Sequence, residues 1–264
     1  MKQSSGTLTF VGALATTNLK AALALRGSFL LQAVFMALNN FSFFVFWWAL
    51  MRNVRTIRGW ELGDIELLFG IVATAFGLTV TVAGGVRHLG RFIDEGDLDT
   101  LLTQPRPVLA YALGMRSVPS GVGDMCSGIA FIAWSGRVSW PLLPYVATAV
   151  GASAIVFVAC GVVFYSLAFW FGRVETVARM LWDLVITFAV YPEPLFGGAL
   201  RLVLFTLLPA GFVGYLPVWL VREPTLRHAA LLMTGSVAYL AAAVLIFDRG
   251  LRRYASGSRF STFG

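Results

Sequence analysis

Long apolar stretches make up most of this chain, and polar residues arrive in short bursts between them. Phe29 to Met51 is the first run able to cross a hydrocarbon core of about 30 Å. It closes on Trp47 and Trp48, aromatics suited to a membrane–water boundary. Leu67 to Val86 forms a second span, with Gly and Thr that permit close helix packing. Val108 to Trp134 is interrupted by Arg116, Pro119 and Asp124, which predicts an interfacial portion and then a kinked third span. Gly114, Gly121 and Gly128 recur every seven residues, so they fall near one helical face where a neighbouring backbone can approach. The fourth span runs from Pro141 to about Phe171, the fifth from about Val177 to Tyr191 and the sixth from about Ala229 to Phe247. Between the last two, Ala199 to Val221 is apolar but broken by Pro209, Gly211, Gly214 and Pro217, as a re-entrant pair of short helices requires.

Ahead of the first span, Leu8, Val11, Leu14, Ala15, Ala22 and Leu23 make an apolar stripe at helical spacing. Thr16, Thr17, Lys20 and Arg26 lie largely off it. Residues 1–27 therefore predict an interfacial helix rather than a cleaved leader, since the run is weak and Asn18, Lys20 and Arg26 follow it. Lys and Arg prefer the cytoplasmic side of short loops, and six spans with both termini inside put most of the 20 basic residues there. Counting Ala199 to Val221 as a crossing would place the basic tail, residues 248–264, outside. The fold class expected is an all-α polytopic membrane protein of six transmembrane helices. The region 192–228 is external and re-entrant.

Composition agrees with this reading. The chain has 264 residues, 58% hydrophobic and only 12% charged, against roughly 25% charged for a soluble domain, so a water-soluble core cannot hide its apolar surface. Its formal charge of +7 comes from arginines spread among loops, not from a basic patch with interleaved aromatics, so no nucleic-acid partner is expected. Cys126 and Cys160 lie in apolar segments and read as buried thiols. Arg52, Arg55 and Arg58 oppose Glu61, Asp64 and Glu66 across Gly59 and Trp60, which predicts a charge-balanced, solvated external turn.

One charge-dense run, Arg91 to Pro107 within the region 87–107, stands out from the apolar background. Asp97 reads as an N-cap, Asp99 suits a helix N-terminus, and Pro105 ends a helix of about two turns. Leu98, Leu101 and Leu102 fall on one face, while Asp94, Glu95, Asp97 and Asp99 crowd its start. Gly96, the Leu98-Asp99 pair, the Leu101-Leu102 pair and the proline-bounded end, in this order, resemble the first cytoplasmic loop of ABC-2 type export permeases. Gly250-Leu251-Arg252-Arg253-Tyr254-Ala255-Ser256-Gly257 resembles the C-terminal signature of one subfamily, which commonly has an acidic residue where Ala255 stands. Tyr191-Pro192 before a proline-broken apolar run completes the likeness.

The resemblance implies a permease subunit in a bacterial inner or plasma membrane, joined by a second permease copy, identical or related, and by two ABC ATPase subunits. It makes residues 87–107 the coupling region: Leu98, Leu101 and Leu102 would enter a groove of the ATPase, and Asp94, Glu95, Asp97 and Asp99 would meet its basic rim. ATP and Mg would sit on that partner, since the chain has no Gly-x-x-x-x-Gly-Lys-Ser/Thr loop. No Ser/His nucleophile turn, His-Glu-x-x-His helix or Cys/His cluster points to an enzyme or a metal.

Candidate substrate-path residues are the intramembrane carboxylates Asp124 and Asp183 with the aromatics Phe43, Phe46, Trp47 and Trp182. Asp183 follows Arg179 by four residues and predicts an internal helical pair. For Asp124, a hydrogen bond to a neighbouring helix is the first expectation and a cation site the second. Taken with the resemblance, these residues imply an exporter of amphiphilic or hydrophobic small molecules, drug-like or cationic, with membrane lipids around it. Lipid or polysaccharide export is the nearest variant. An ATP-independent channel or carrier would call for an internal repeat, and none is evident. An intramembrane enzyme using Asp124 and Asp183 is the third possibility.

Overall fold

A computed structural model describes residues 2–254, which form thirteen α-helices joined by short turns, with no strand among the described residues. The first helix, α1 (Lys2–Ala24), bends at Leu25 into α2 (Arg26–Asn53). Leu14, Ala15, Asn18, Leu19 and Ala22 form the half-buried face of α1, with Thr16, Thr17 and Lys20 outward. Asn18 thus belongs to the packed face, where its amide donates to the Gly114 carbonyl at 3.0 Å. Leu23 is exposed, and the side chains of Leu8 and Val11 lie outside the described residues.

Next come α3 (Leu62–Val82), a 3-10 turn at Gly84–His88, α4 (Leu89–Asp94), α5 (Leu98–Leu102), α6 (Val108–Gly114) and α7 (Ser120–Trp134). The second apolar span starts five residues earlier than its hydropathy predicts. Glu61 and Asp64 form a reciprocal capping box, so backbone capping, and not the first apolar residue, sets the start. The third span is broken outright. Residues between α6 and α7 are tied to the end of α3 by Val118 N–H donating to the Val80 carbonyl (2.9 Å) and the Ser117 hydroxyl donating to that of Thr81 (2.6 Å).

The second half contains α8 (Leu143–Ser166), α9 (Ala168–Phe171), α10 (Glu175–Ala189), α11 (Gly198–Leu204), a π-turn at Gly211–Tyr215, α12 (Leu216–Arg222) and α13 (Leu226–Leu251). Four helical stretches are long and apolar enough to cross a membrane: Arg26–Asn53, Leu62–Val82, Trp140–Phe171 and Leu226–Leu251. The 15-residue α7 and α10 reach only about 22 Å by their rise per residue. Each nevertheless runs between the same two polar ends as α3.

At one end, which we term the loop end, the turns after α2, α7, α10 and α12 meet. The Arg58 side chain donates to the Pro194 carbonyl at 2.7 Å, and Arg137 and Arg222 both reach Asp64. The opposite, segment end gathers α4, α5, α9 and the close of α13.

The pair α11 and α12 forms a hairpin that leaves the loop end and returns to it. Arg201 of α11 pairs with Glu193 at 2.6 Å, and Arg222 closes α12 beside Asp64 at 3.5 Å. Its tip is buried against mid-helix positions. Ser153 donates to the Val213 carbonyl at 2.8 Å, and Tyr239 donates to those of Phe205 (2.8 Å) and Thr206 (3.0 Å). These side chains satisfy carbonyls that the broken helices leave open, which an apolar surrounding demands. Tyr239→Phe is expected to cost about 1–2 kcal/mol, read as a lower melting temperature of the detergent-purified chain. An unchanged melt would mean that the tip does not rely on this bond.

The loop after α2 is largely exposed, as its charges predict, but Trp60 is buried and the ion pairs are not the local ones. Residues 57–60 close a tight turn through paired Ile57 and Trp60 backbone bonds, with Arg58 and Gly59 at positive φ. Trp60 is buried beneath it, and Arg222 covers the ring at 5.8 Å. Glu61 and Asp64 pair with Arg137 and Arg222 rather than with Arg52, Arg55 or Arg58. Local charge balance misled because the true partners lie at least 70 residues away in sequence.

Candidate functional site

Two places carry the residues singled out by the sequence: the polar segment at the segment end and a cavity among the long helices. In the segment, α4 and α5 are separated by Gly96, whose φ of +79° lets the chain turn at no Cβ cost. α5 has five residues, shorter than the two turns its spacing predicts. Asp97 precedes it with helical backbone, and its carboxylate makes no capping bond; the Thr100 hydroxyl instead donates to the Asp97 carbonyl at 2.8 Å.

The three leucines of α5 do not share a free face. Leu98 is fully buried and Leu101 is 5% exposed, both within the chain's own core, and only Leu102, at 46%, faces outward. A one-four spacing marks an apolar face without saying what covers it, and here the protein covers most of it. Outward with Leu102 are Glu95, Thr100, Thr103, Gln104, Pro105, Arg106 and Pro107, while Asp94, Asp97 and Asp99 are half-buried. Burial raises the Asp94 pKa above its ordinary value more than the nearby Arg173 lowers it. Glu95 is 3.9 Å from Arg91.

Tyr254, just past the end of α13, lies beside Asp99. Its pKa is pushed up to about 12, by burial first and then by that carboxylate. Its ring also packs edge-on to Phe169 of α9 at 6.2 Å. The polar segment is therefore tied to the ends of both α9 and α13. Ala255 to Gly257, which end the stretch likened to a subfamily signature, and the tail through Arg259 lie outside the described residues.

The second place is a cavity of about 350 Å³ bounded by α2, α3, α7 and α10. Asp124 lies at its floor, 2% exposed, and Phe43, Phe69, Phe76 and Tyr191 contribute ring surfaces. The Asn40 amide of α2 donates both to Asp124 Oδ1 (2.8 Å) and to Ser127 Oγ (2.9 Å), which meets the expected hydrogen bond to a neighbouring helix. Asp124 Oδ2 is buried and has no hydrogen-bond partner.

The other candidate path residues do not converge there. Phe46 is 57% exposed on the outer surface of α2. Trp47 is buried edge-on to Tyr191 at 5.5 Å. Trp182 is buried closer to the segment end, donating to the Phe157 carbonyl at 3.2 Å beneath Arg87. Asp183 is exposed on α10, and its expected partner Arg179 pairs with Glu175 at 2.9 Å instead, the i, i+4 neighbour on the preceding turn. Asn39, Asn40 and Thr187, missed by the sequence reading, do line the cavity. Two adjacent amides in the middle of an apolar span were the available signal.

Apolar helices with inward-facing polar residues and broad outward apolar surfaces on α2 and α13 define a multi-pass membrane protein. The sequence profile described as ABC-2 family transporter protein matches residues 28–258, and the chain belongs to that family. It is thereby a permease subunit of an ABC transporter, and the family implies an ABC ATPase as partner. No curated protein and no solved structure matches the chain.

Proposed function

We propose that the chain is the transmembrane subunit of an ATP-driven exporter that moves amphiphilic or hydrophobic small molecules, drug-like or cationic, out across the cell membrane. Six spans, α2, α3, α7, α8, α10 and α13, alternate between the two ends. α1 lies along the cytoplasmic interface, the α11–α12 hairpin re-enters from outside, and both termini are cytoplasmic. The pairing of every loop-end turn with another loop-end turn supports this count, although α7 and α10 are short. Two copies of the permease and two of the ATPase make up the complex, with ATP and Mg held by the ATPase.

The observation that carries the coupling role is the outward surface from Leu102 to Pro107, held by Tyr254 and the Arg173 turn against the span ends. A push on this surface reaches α9 and α13 through packed side chains, because interiors are dense and deform little. Glu95 and the half-buried aspartates face the partner's basic rim.

The test is co-expression with the neighbouring genes, purification in mild detergent and an ATP hydrolysis assay. Leu102→Asp with Arg106→Glu, both exposed, is expected to remove the co-purifying ATPase while the permease keeps its melting temperature. A wild-type chain that purifies without an ATPase and transports without one would overturn the proposal.

A further inference from the structure

We infer that the Asp124 cavity is a binding site for an organic cation with apolar substituents. The inference rests on the exporter reading only in making this cavity the place where cargo is held, and it supplies the chemical class that the transport reading leaves broad. Four observations converge on it. Asp124 is buried among apolar helices, where an ionised carboxylate is costly without a counter-charge. One of its oxygens is held by Asn40, which fixes the carboxyl group, and the other has no partner. Among the described side chains, no Lys or Arg lines the cavity, so the counter-charge for an ionised Asp124 would come from a bound ligand.

The surrounding surfaces complete the argument. Phe43, Phe69, Phe76 and Tyr191 present π-systems, which attract cations and accommodate apolar substituents without the directional demands of hydrogen bonds. An inorganic ion would need several oxygen ligands, and the described residues contain no carboxylate, Cys or His cluster of that kind. At the mouth, Asn39, Phe43 and Thr187 are exposed, so the cavity opens sideways between α2 and α10. Asn40 belongs to the site as a positioning residue, since its one amide binds both Asp124 and Ser127.

The experiment compares tetraphenylphosphonium with tetraphenylborate, ions of matched shape and opposite charge. Binding is measured on the purified full chain in lipid nanodiscs and corrected for partition into empty discs. Saturable binding of the phosphonium alone is expected, weakened at least tenfold by Asp124→Asn and largely retained by Asp124→Glu. Thr187→Trp, which fills the mouth and leaves the Asp124 hydrogen bonds alone, should remove the same binding and keeps the test decisive if Asp124→Asn fails to fold. No saturable phosphonium binding, equal binding of the borate, or binding unaffected by either variant would overturn the inference. ATPase co-purification separates the two readings. Asp124-dependent binding without an ATPase would keep the site and sink the exporter. An ATPase complex with no such binding would do the reverse.

Discussion

Gly77→Leu is expected to eliminate the folded protein, because α3 and α7 touch backbone to backbone at this point. A Cβ on Gly77 would meet the Gly121 carbonyl oxygen and come within 2.8 Å of the Met125 amide nitrogen. The approach is reciprocal: a Cβ on Gly121 would lie 2.7 Å from the Gly77 carbonyl oxygen. One heptad further along, Gly70 and Gly128 repeat it, with Cβ to carbonyl distances of 2.8 and 2.7 Å. Close approach of this kind is how helices gain packing energy where no water drives them together.

A leucine cannot be accommodated by rotating a neighbouring side chain, since the obstacle is main chain. The cost is about 3 kcal/mol or more, beyond the usual overpacking penalty. Size-exclusion of a detergent extract should show loss of the monodisperse peak, and Gly77→Ala should keep the peak with a lower melting temperature. A leucine variant that elutes and melts like wild type would refute the α3–α7 contact.

The second large effect is expected at Asp64, which is 1% exposed at the loop end. Its Oδ1 is 3.1 Å from Arg137 Nε, and its Oδ2 is 3.5 Å from Arg222 Nη1 and accepts from the Glu61 N–H at 2.9 Å. One carboxylate therefore joins the start of α3 and the turn after α7 to the hairpin. Asp64→Ala removes the charge that compensates two arginines and also removes the helix cap.

The expected loss is on the order of 3 kcal/mol, the lower part of the range for breaking a buried pair. It is not larger because Arg137 and Arg222 keep 35% and 25% of their side-chain surface exposed and can turn toward water. Asp64→Leu combined with Arg137→Met should recover part of this loss. Arg55→Ala, in the exposed part of the neighbouring loop, should stay within about 0.5 kcal/mol of wild type. Melting curves of the three purified variants check the set. Equal losses for Arg55→Ala and Asp64→Ala would mean that local charge balance, rather than the long-range cluster, governs this end.

The glycine heptad illustrates how far a one-dimensional pattern reaches. Gly121 and Gly128 pack as their spacing predicts, because a repeat of seven returns to nearly the same helical face. Gly114 follows the same spacing but lies in α6, across the break at 115–119, so it belongs to a different helix. The period was visible; the interruption depended on Ser117 and Val118 finding partners at the end of α3.

Sequence by itself determined the helical class, the rough position of each apolar stretch and the broken character of the segment before α13. Apolar length and Pro/Gly placement act within a few residues of chain, and an apolar solvent leaves the backbone little choice but helix. It also determined that 87–107 would be the polar exception. Only the tertiary structure decided that Leu98 and Leu101 are core while Leu102 is surface, that Asp64 answers to Arg137 and Arg222, and that Asp124 shares a cavity with Phe43 and Asn40 but not with Asp183 or Trp182. The reason is common to all three. The meaning of a buried leucine or a charge lies in what stands opposite it, and in a bundle of crossing helices the opposing residue is set by packing between segments far apart in the chain.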